Sequence, residues 1–155
     1  MRDIYVVGDA NVDIIVPYPR FLNEERTLVD YPNPELVGGG TSANTAVALA
    51  KLGLPVSFLG TIGDDQYGKY IQKDFKEQGV NTADLIVDPK LNTVGVFAFI
   101  DENGERYLWG WPRVDQAFKV LERDKVPFEK IEAADWVHSS GMSLVYDTSA
   151  RTEII

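Results

Sequence analysis

The chain has no cysteine, which excludes disulfides, thiolate metal sites and a cysteine nucleophile, and fits a reducing compartment. It has one histidine, His138, placed at the end of an apolar run, where a hydrogen-bonded core role outweighs a catalytic one. Basic residues are few, 15 Lys and Arg against 24 Asp and Glu for a net charge of -9, and they do not cluster. Such a surface repels phosphate backbones, so no nucleic-acid partner is expected. No apolar run reaches the roughly 18 residues that span a bilayer, so no membrane partner is expected either. Met1-Arg2-Asp3 passes straight into a β-branched run, without the charged-then-apolar build of a signal peptide. The protein is therefore expected to be cytoplasmic. There is no internal repeat and no low-complexity segment. What remains is an ordinary composition, 45% hydrophobic over 155 residues, enough for one domain with a real core.

The run 4-IYVVG-8 is short, β-branched and closed by glycine, as in a buried parallel strand. In 9-DANVD-13, Asn11 and Asp13 are two apart and share a face if the segment is extended. Pro17, Pro19, Pro32 and Pro34 mark residues 14–35 as an excursion, with short edge strands near 14–16 and 27–31. Ala43, Ala46, Val47 and Ala50 recur at helical spacing, with Gly53 and Pro55 as a stop. Residues 55-PVSFLGTIG-63 are expected to form one further buried strand. A helix with Tyr67, Tyr70, Ile71 and Phe75 on one face follows and ends at Gly79. The segments 93-TVGVFAFI-100 and 105-ERYLWGW-111 flank Asn103-Gly104 and predict a hairpin. A helix over 114–123, a short helical piece at 128–134, a strand at 135–141 and the start of a helix at 147–155 complete the pattern. Alternating strands and helices imply a parallel sheet covered on both faces.

The stretch 36-LVGGGTSANTAVALAKLG-53 carries the functional question. It is no P-loop, since no lysine follows the glycines. Gly38, Gly40 and Ala43 satisfy the letters of a dinucleotide fingerprint, which keeps a nucleotide-linked, Rossmann-type oxidoreductase as an alternative. The approach 31-YPNPELV-37 is not the buried strand that fingerprint requires. One glycine would turn the chain onto the helix. Three leave backbone amides open at the positive helix end, where a polar ligand approaches closely. With the carboxylate of Asp13 and the amides of Asn11 and Asn44, this set suits hydroxyls better than phosphates, as in a polyol or sugar.

On 8-GDANVD-13, 38-GGGTSAN-44 with its helix, 60-GTIGDDQYG-68, the 93–111 hairpin and 138-HSSG-141, the chain resembles the N-terminal half of the ribokinase-like (PfkB) carbohydrate kinases. The resemblance implies an α/β fold, a partial ribokinase-like three-layer sandwich with a small β-sheet lid. Residues 1–13, 38–92 and 112–155 would form the incomplete core, and 14–37 and 93–111 the lid. It implies transfer of the ATP γ-phosphoryl group to a sugar hydroxyl with Mg2+. Carried over, Asn11, Asp13, Gly39, Gly40 and Asn44 would bind sugar. Phe97, Phe99, Arg106 and Tyr107 are lid candidates, of which only alternate residues face the sugar; Phe97 and Arg106 are the two taken forward. Trp109 and Trp111 are expected to pack rather than stack on sugar. Thr41, where ribokinases often carry lysine, and the lack of an acidic residue near the end of 138-HSSGM-142 argue against ribose.

The family's Gly-Ala-Gly-Asp motif with its base, its Mg-linked Asn-x-x-Glu and its nucleotide pocket find no match here, so no catalytic, ATP or metal residue is assigned to this chain. Asp64 and Asp65 are expected to complement a helix dipole, and Ser139 and Ser140 have no base partner for a hydrolase triad. The chain on its own is expected to be an inactive portion of a kinase. A partial parallel sheet leaves an open edge, so a homodimer through that edge or the lid is expected. A non-catalytic sugar-binding module is a further alternative.

Overall fold

The computed structural model describes residues 3–17, 33–145 and 154. In chain order the elements are β1 (Ile4–Val7), β2 (Asn11–Pro17), β3 (Glu35–Gly39), α1 (Thr41–Lys51), β4 (Val56–Leu59), β5 (Thr61–Gly63) and α2 (Gln66–Glu77). There follow β6 (Ile86–Asp88), β7 (Gly95–Ile100), β8 (Arg106–Trp111), α3 (Phe128–Glu132), β9 (Trp136–Ser139) and α4 (Gly141–Leu144), with 3-10 turns at Ala117–Lys119 and Arg123–Lys125.

β1 is buried at all four residues because strands flank it on both sides, in the parallel order β4-β1-β9. Val6, Phe58, Ala46, Ile71 and Phe75 close one core cluster, with the Phe58 and Phe75 rings 4.8 Å apart. Tyr5, Val7, Leu59, Leu121 and Ile131 close a second on the opposite face of the sheet. The lid strands form a separate sheet in the order β3-β2-β7-β8. It rests through Val12, Ile14 and Phe97 on the first cluster.

The two predicted helices α1 and α2 form as their spacing requires, and Gly53 (φ +80°) and Gly79 (φ +82°) follow their ends in the left-handed region. Asp65 caps α2, its Oδ1 accepting from the Gly68 amide at 2.8 Å, while its Oδ2 accepts from the Thr93 amide at 2.7 Å. Asp65→Ala is therefore expected to cost about 2 kcal/mol, read as a fall in the thermal midpoint of roughly 4–8 °C.

Several expectations change. The single strand over 55–63 is two strands in two sheets. At Gly60 a Cβ would meet the Gly8 carbonyl and stand 2.7 Å from the Phe58 ring, so the backbone passes there only as glycine. Beyond it the Gly60 carbonyl accepts from Ile86 at 2.9 Å and the chain pairs with β6. The helix over 114–123 does not form. Asn92 N donates to Asp115 O at 2.7 Å and Ala117 N to Asn92 O at 2.9 Å, so this segment is tied to a loop in place of its own helical bonds. The strand near 14–16 is an interior strand, β2, which begins at Asn11; its proline, Pro17, falls at the end, where a missing amide costs least. β3 replaces the irregular approach to the glycines. The Asn103-Gly104 turn lies in a longer loop, Asp101 Oδ1 accepting from the amides of Asn103 and Glu105 at 2.9 Å. The strand at 27–31 and most of the helix start at 147–155 lie outside the described residues.

Candidate functional site

Where β1 ends, the chain turns at Gly8–Ala10 and enters the lid sheet as β2. That turn buries Asp9, which is 6% exposed. Its Oδ2 accepts from the Thr41 amide at 2.7 Å, and its Oδ1 from the Ser42 amide at 3.1 Å, the Ser42 hydroxyl at 2.9 Å and the Ser140 hydroxyl at 3.0 Å. Its backbone carbonyl accepts from the Ala43 amide at 3.1 Å. Burial alone pushes the Asp9 carboxyl up, but the bonds from Ser42, Thr41 and Ser140 outweigh it and hold the group below the usual carboxylate range. The first amides of α1, expected to be open to a ligand, are therefore taken by the protein's own carboxylate. This removes the phosphate seat on which a dinucleotide reading of Gly38, Gly40 and Ala43 depends.

The glycines act by close approach. Gly39 pairs with Asn11 across β3 and β2, and a Cβ on it would stand 2.6 Å from Asp13 Cγ and 2.8 Å from Asp13 Oδ2. Gly40 (φ +103°) makes the left-handed turn into α1, with no room for a side chain beside Asn11 Oδ1. Asn11 Nδ2 donates to Asp13 Oδ1 at 3.2 Å. Burial pushes the Asp13 carboxyl up, and the Asn11 bond opposes this only in part.

Asn11, Asp13, Gly40, Thr41 and Asn44 meet on one cavity of about 840 Å³. The lid sheet forms its wall. Asp13 pairs with Val96 and Val96 with Gly110, Ile15 with Ala98 and Ala98 with Leu108, and Ile100 with Arg106; all of these line the cavity. Arg113, Gln116, Phe118 and Lys119, from the segment after β8, close one side, and Met142 of α4 adds to the lining. Gly39 faces a smaller neighbouring cavity of about 390 Å³, which Asn11 and Asn44 share.

Strand alternation divides the hairpin candidates. Arg106 reaches the cavity, whereas Phe97 turns to the other face and packs on the first core cluster, its ring 6.2 Å from Phe99 and 5.8 Å from Trp109. Phe97, expected to contact sugar, does not line this cavity. Trp109 and Trp111, ring centroids 5.9 Å apart, follow Phe97 in phase and do not line the cavity; both are about half exposed. Sequence reasoning missed Asp9, Arg113 and Lys119. For Asp9 the one local signal is a carboxylate just past a buried strand; Lys119 sits in the segment expected to be helix, and Arg113 lies between the hairpin and that segment.

A small lid sheet closing a polar cavity at the edge of a parallel α/β core defines a partial ribokinase-like fold. The sequence matches the pfkB family carbohydrate kinase profile over residues 1–154, and the chain belongs to that family. It is 34% identical over 151 residues to a fructokinase of Vibrio alginolyticus, covering 96% of this chain and 44% of that one. It is 38% identical over 149 residues to a 5-dehydro-2-deoxygluconokinase of Bacillus subtilis, covering 95% and 44%. The crystal structure of fructokinase with bound ATP from Xylella fastidiosa aligns with a TM-score of 0.73 at 25% identity, over 89% of this chain and 41% of that chain. The chain thus spans under half the length of these relatives.

Proposed function

We propose that this chain is the sugar-binding portion of an ATP-dependent, cytoplasmic carbohydrate kinase that phosphorylates a hydroxyl of a small sugar. The observation that carries this is the convergence of Asn11, Asp13 and Asn44 on one cavity under the lid sheet, with Gly40 turning the backbone in beside them. Asp13 accepts hydrogen bonds from substrate hydroxyls, while Asn11 and Asn44 supply both donors and acceptors. Together they fix the orientation that in-line transfer requires. Val96 and Ala98 add an apolar wall beside these groups.

ATP and Mg2+ would supply the phosphoryl group and its charge neutralisation, but the described residues do not fit them. No group of three His, Cys, Asp or Glu among them could hold a metal ion, and the amides of α1 are occupied by Asp9. This chain alone is expected to transfer no phosphate; turnover abolished by Asp13→Ala would overturn that. No described helix is long and apolar enough to cross a membrane. A homodimer would use the β9 edge, where Trp136 is 66% exposed, or the outer face of β8. Light scattering that shows a stable monomer would rule it out.

The test is calorimetric titration with neutral sugars and with NADH. Saturable sugar binding that Asp13→Asn weakens by roughly a hundred-fold supports the reading, since a bond to a charged acceptor is lost; saturable NADH binding overturns it. The same variant has a stability signature. Because the folded-state carboxyl lies above its unfolded value, ionised Asp13 costs stability once pH rises through the folded value. Asp13→Asn is therefore expected to melt at least as high as the parent at neutral pH while losing sugar.

A further inference from the structure

β3 carries two of the glycines of the site but has little of its own to hold it in place. It is an edge strand of the lid sheet, paired on one side only, with β2. Its last two residues, Gly38 and Gly39, have no side chains to pack. The cavity of about 390 Å³ lies between it and the helices α1 and α2, lined by Gly38, Gly39, Val47, Tyr70, Asp74 and Phe75. Two side chains of α2 reach across to the strand. The Tyr70 hydroxyl donates to the Leu36 carbonyl at 2.8 Å. Burial, with Asp74 and Glu77 adding to it, pushes the Tyr70 hydroxyl up, so it keeps the proton it donates. One turn on, Asp74 lies so close to Gly38 that a Cβ there would stand 2.5 Å from its Oδ2, while its Oδ1 accepts from Gln78 Nε2 at 3.2 Å. Strand alternation carries these contacts to the site. Leu36 and Gly38 pair with Ile14 and Val12, which belong to the first core cluster, whereas Val37 and Gly39 pair with Asp13 and Asn11, which line the larger cavity. The strand is thus held by α2 at residues 36 and 38 and bears on the Asp13 carboxylate at residue 39.

We propose that Tyr70 and Asp74 are positioning residues of the sugar site: they hold β3 at the distance from α2 at which Gly39 fixes the Asp13 carboxylate, although neither lines the cavity that Asp13 faces. This rests on the sugar-binding reading above and adds a support to that same site. Because a cavity separates β3 from the helices, general packing does not set the strand's place there, and these two contacts do. A strand released by about 1 Å lets the carboxylate turn away from the hydroxyls it accepts from, and a displacement of that size in an orienting group is enough for a large loss.

The test titrates the full chain with fructose, ribose and gluconate, well below the thermal midpoint. The tightest binder is then carried through Tyr70→Phe, Asp74→Ala, Asp13→Asn and the double variant Tyr70→Phe/Asp13→Asn. Tyr70→Phe keeps the ring and removes the bond to Leu36. It is expected to weaken sugar binding roughly ten-fold while lowering the midpoint by only roughly 2–4 °C. Asp74→Ala is expected to weaken binding at least as far. Tyr5→Phe is the control. It too removes one tyrosine hydroxyl bond, to Asp84 Oδ2 at 2.8 Å, but on the opposite face of the parallel sheet, so it should lower the midpoint as far and leave sugar affinity unchanged. A positioning role also predicts non-additivity: with Asp13→Asn already in place, Tyr70→Phe should cost no more than about two-fold, because the charged acceptor it places is gone. The inference is overturned if Tyr70→Phe or Asp74→Ala binds sugar as the parent does, if Tyr5→Phe loses as much affinity, or if the full ten-fold loss persists beside Asp13→Asn. In each of those cases the parent still binds sugar and the site itself stands. Failure of the underlying reading looks different: the parent binds none of the three sugars, and the role of Tyr70 and Asp74 falls with it.

Discussion

Replacing Asp9 by alanine is expected to cost about 3 kcal/mol, because it leaves buried donors without their acceptor. The donors are the amides of Thr41 and Ser42 and the hydroxyls of Ser42 and Ser140, all within 3.1 Å of the carboxylate. For a chain of this length that lowers the thermal midpoint by roughly 6–12 °C, measurable by circular dichroism. Asp9→Asn separates charge from shape. Its amide nitrogen would point a donor at donors, so it too should destabilise at neutral pH. The pH dependence fixes the sign. The folded-state value lies below the unfolded one, so the carboxylate's contribution is fully present above about pH 3.9 and is lost as pH falls through the folded value. The gap between parent and Asp9→Asn should therefore close in acid. A gap that stays constant down to acid pH would show that Asp9 does not act as a charged acceptor.

The same carboxylate answers what the glycine-rich loop holds. A helix N-terminus with three preceding glycines asks for an anion, and the anion here is Asp9, 32 residues upstream of Thr41 and 131 before Ser140. Nothing local in 9-DANVD-13 shows those partners, because they are set by the packing of β1, α1 and β9. Asn11 and Asp13 were legible because period-two spacing in a strand is a local rule. α1 and α2 were legible for the same reason, with Gly53, Gly79 and Asp65 marking their ends. The break at Gly60 was not, since the Gly8 carbonyl it passes belongs to the distant turn after β1. Nor was the fate of 114–123, whose apolar spacing suits a helix but whose Asp115 carbonyl and Ala117 amide bond to the Asn92 backbone. In the hairpin both strands could be read, but not which face met the cavity. α2 decides that: a Cβ on Gly95 would stand 2.8 Å from the Tyr67 ring, and Phe97 on the same face packs on the cluster that Tyr67 joins, which turns Val96, Ala98 and Arg106 toward the cavity.

Gly39→Ala is expected to abolish sugar binding while leaving the fold in place. Gly39 is not among the residues at positive φ, so alanine meets no backbone strain there. The cost is steric and falls on one group. The added methyl would stand 2.6 Å from Asp13 Cγ and 2.8 Å from its Oδ2, inside any normal contact, so the carboxylate must leave its present position. Its bond to Asn11 at 3.2 Å goes with it, and two of the three side chains that hold the hydroxyls are displaced together. A shift of about 1 Å in a positioning group is enough for a hundred-fold loss, so affinity should fall at least as far as in Asp13→Asn. Gly53→Ala is the control. Gly53 has φ +80° with nothing within 4 Å of a Cβ, so alanine strains only the backbone, at about 1 kcal/mol. It should lower the thermal midpoint by roughly 2–4 °C and leave sugar affinity unchanged. If Gly39→Ala binds sugar as the parent does, Asp13 is not the acceptor that holds the hydroxyls. If both variants lose affinity in proportion to their lost stability, the effect is on folding and not on the site. The two outcomes are separated by titrating at a temperature well below both midpoints, where each variant is fully folded and only the position of the Asp13 carboxylate differs.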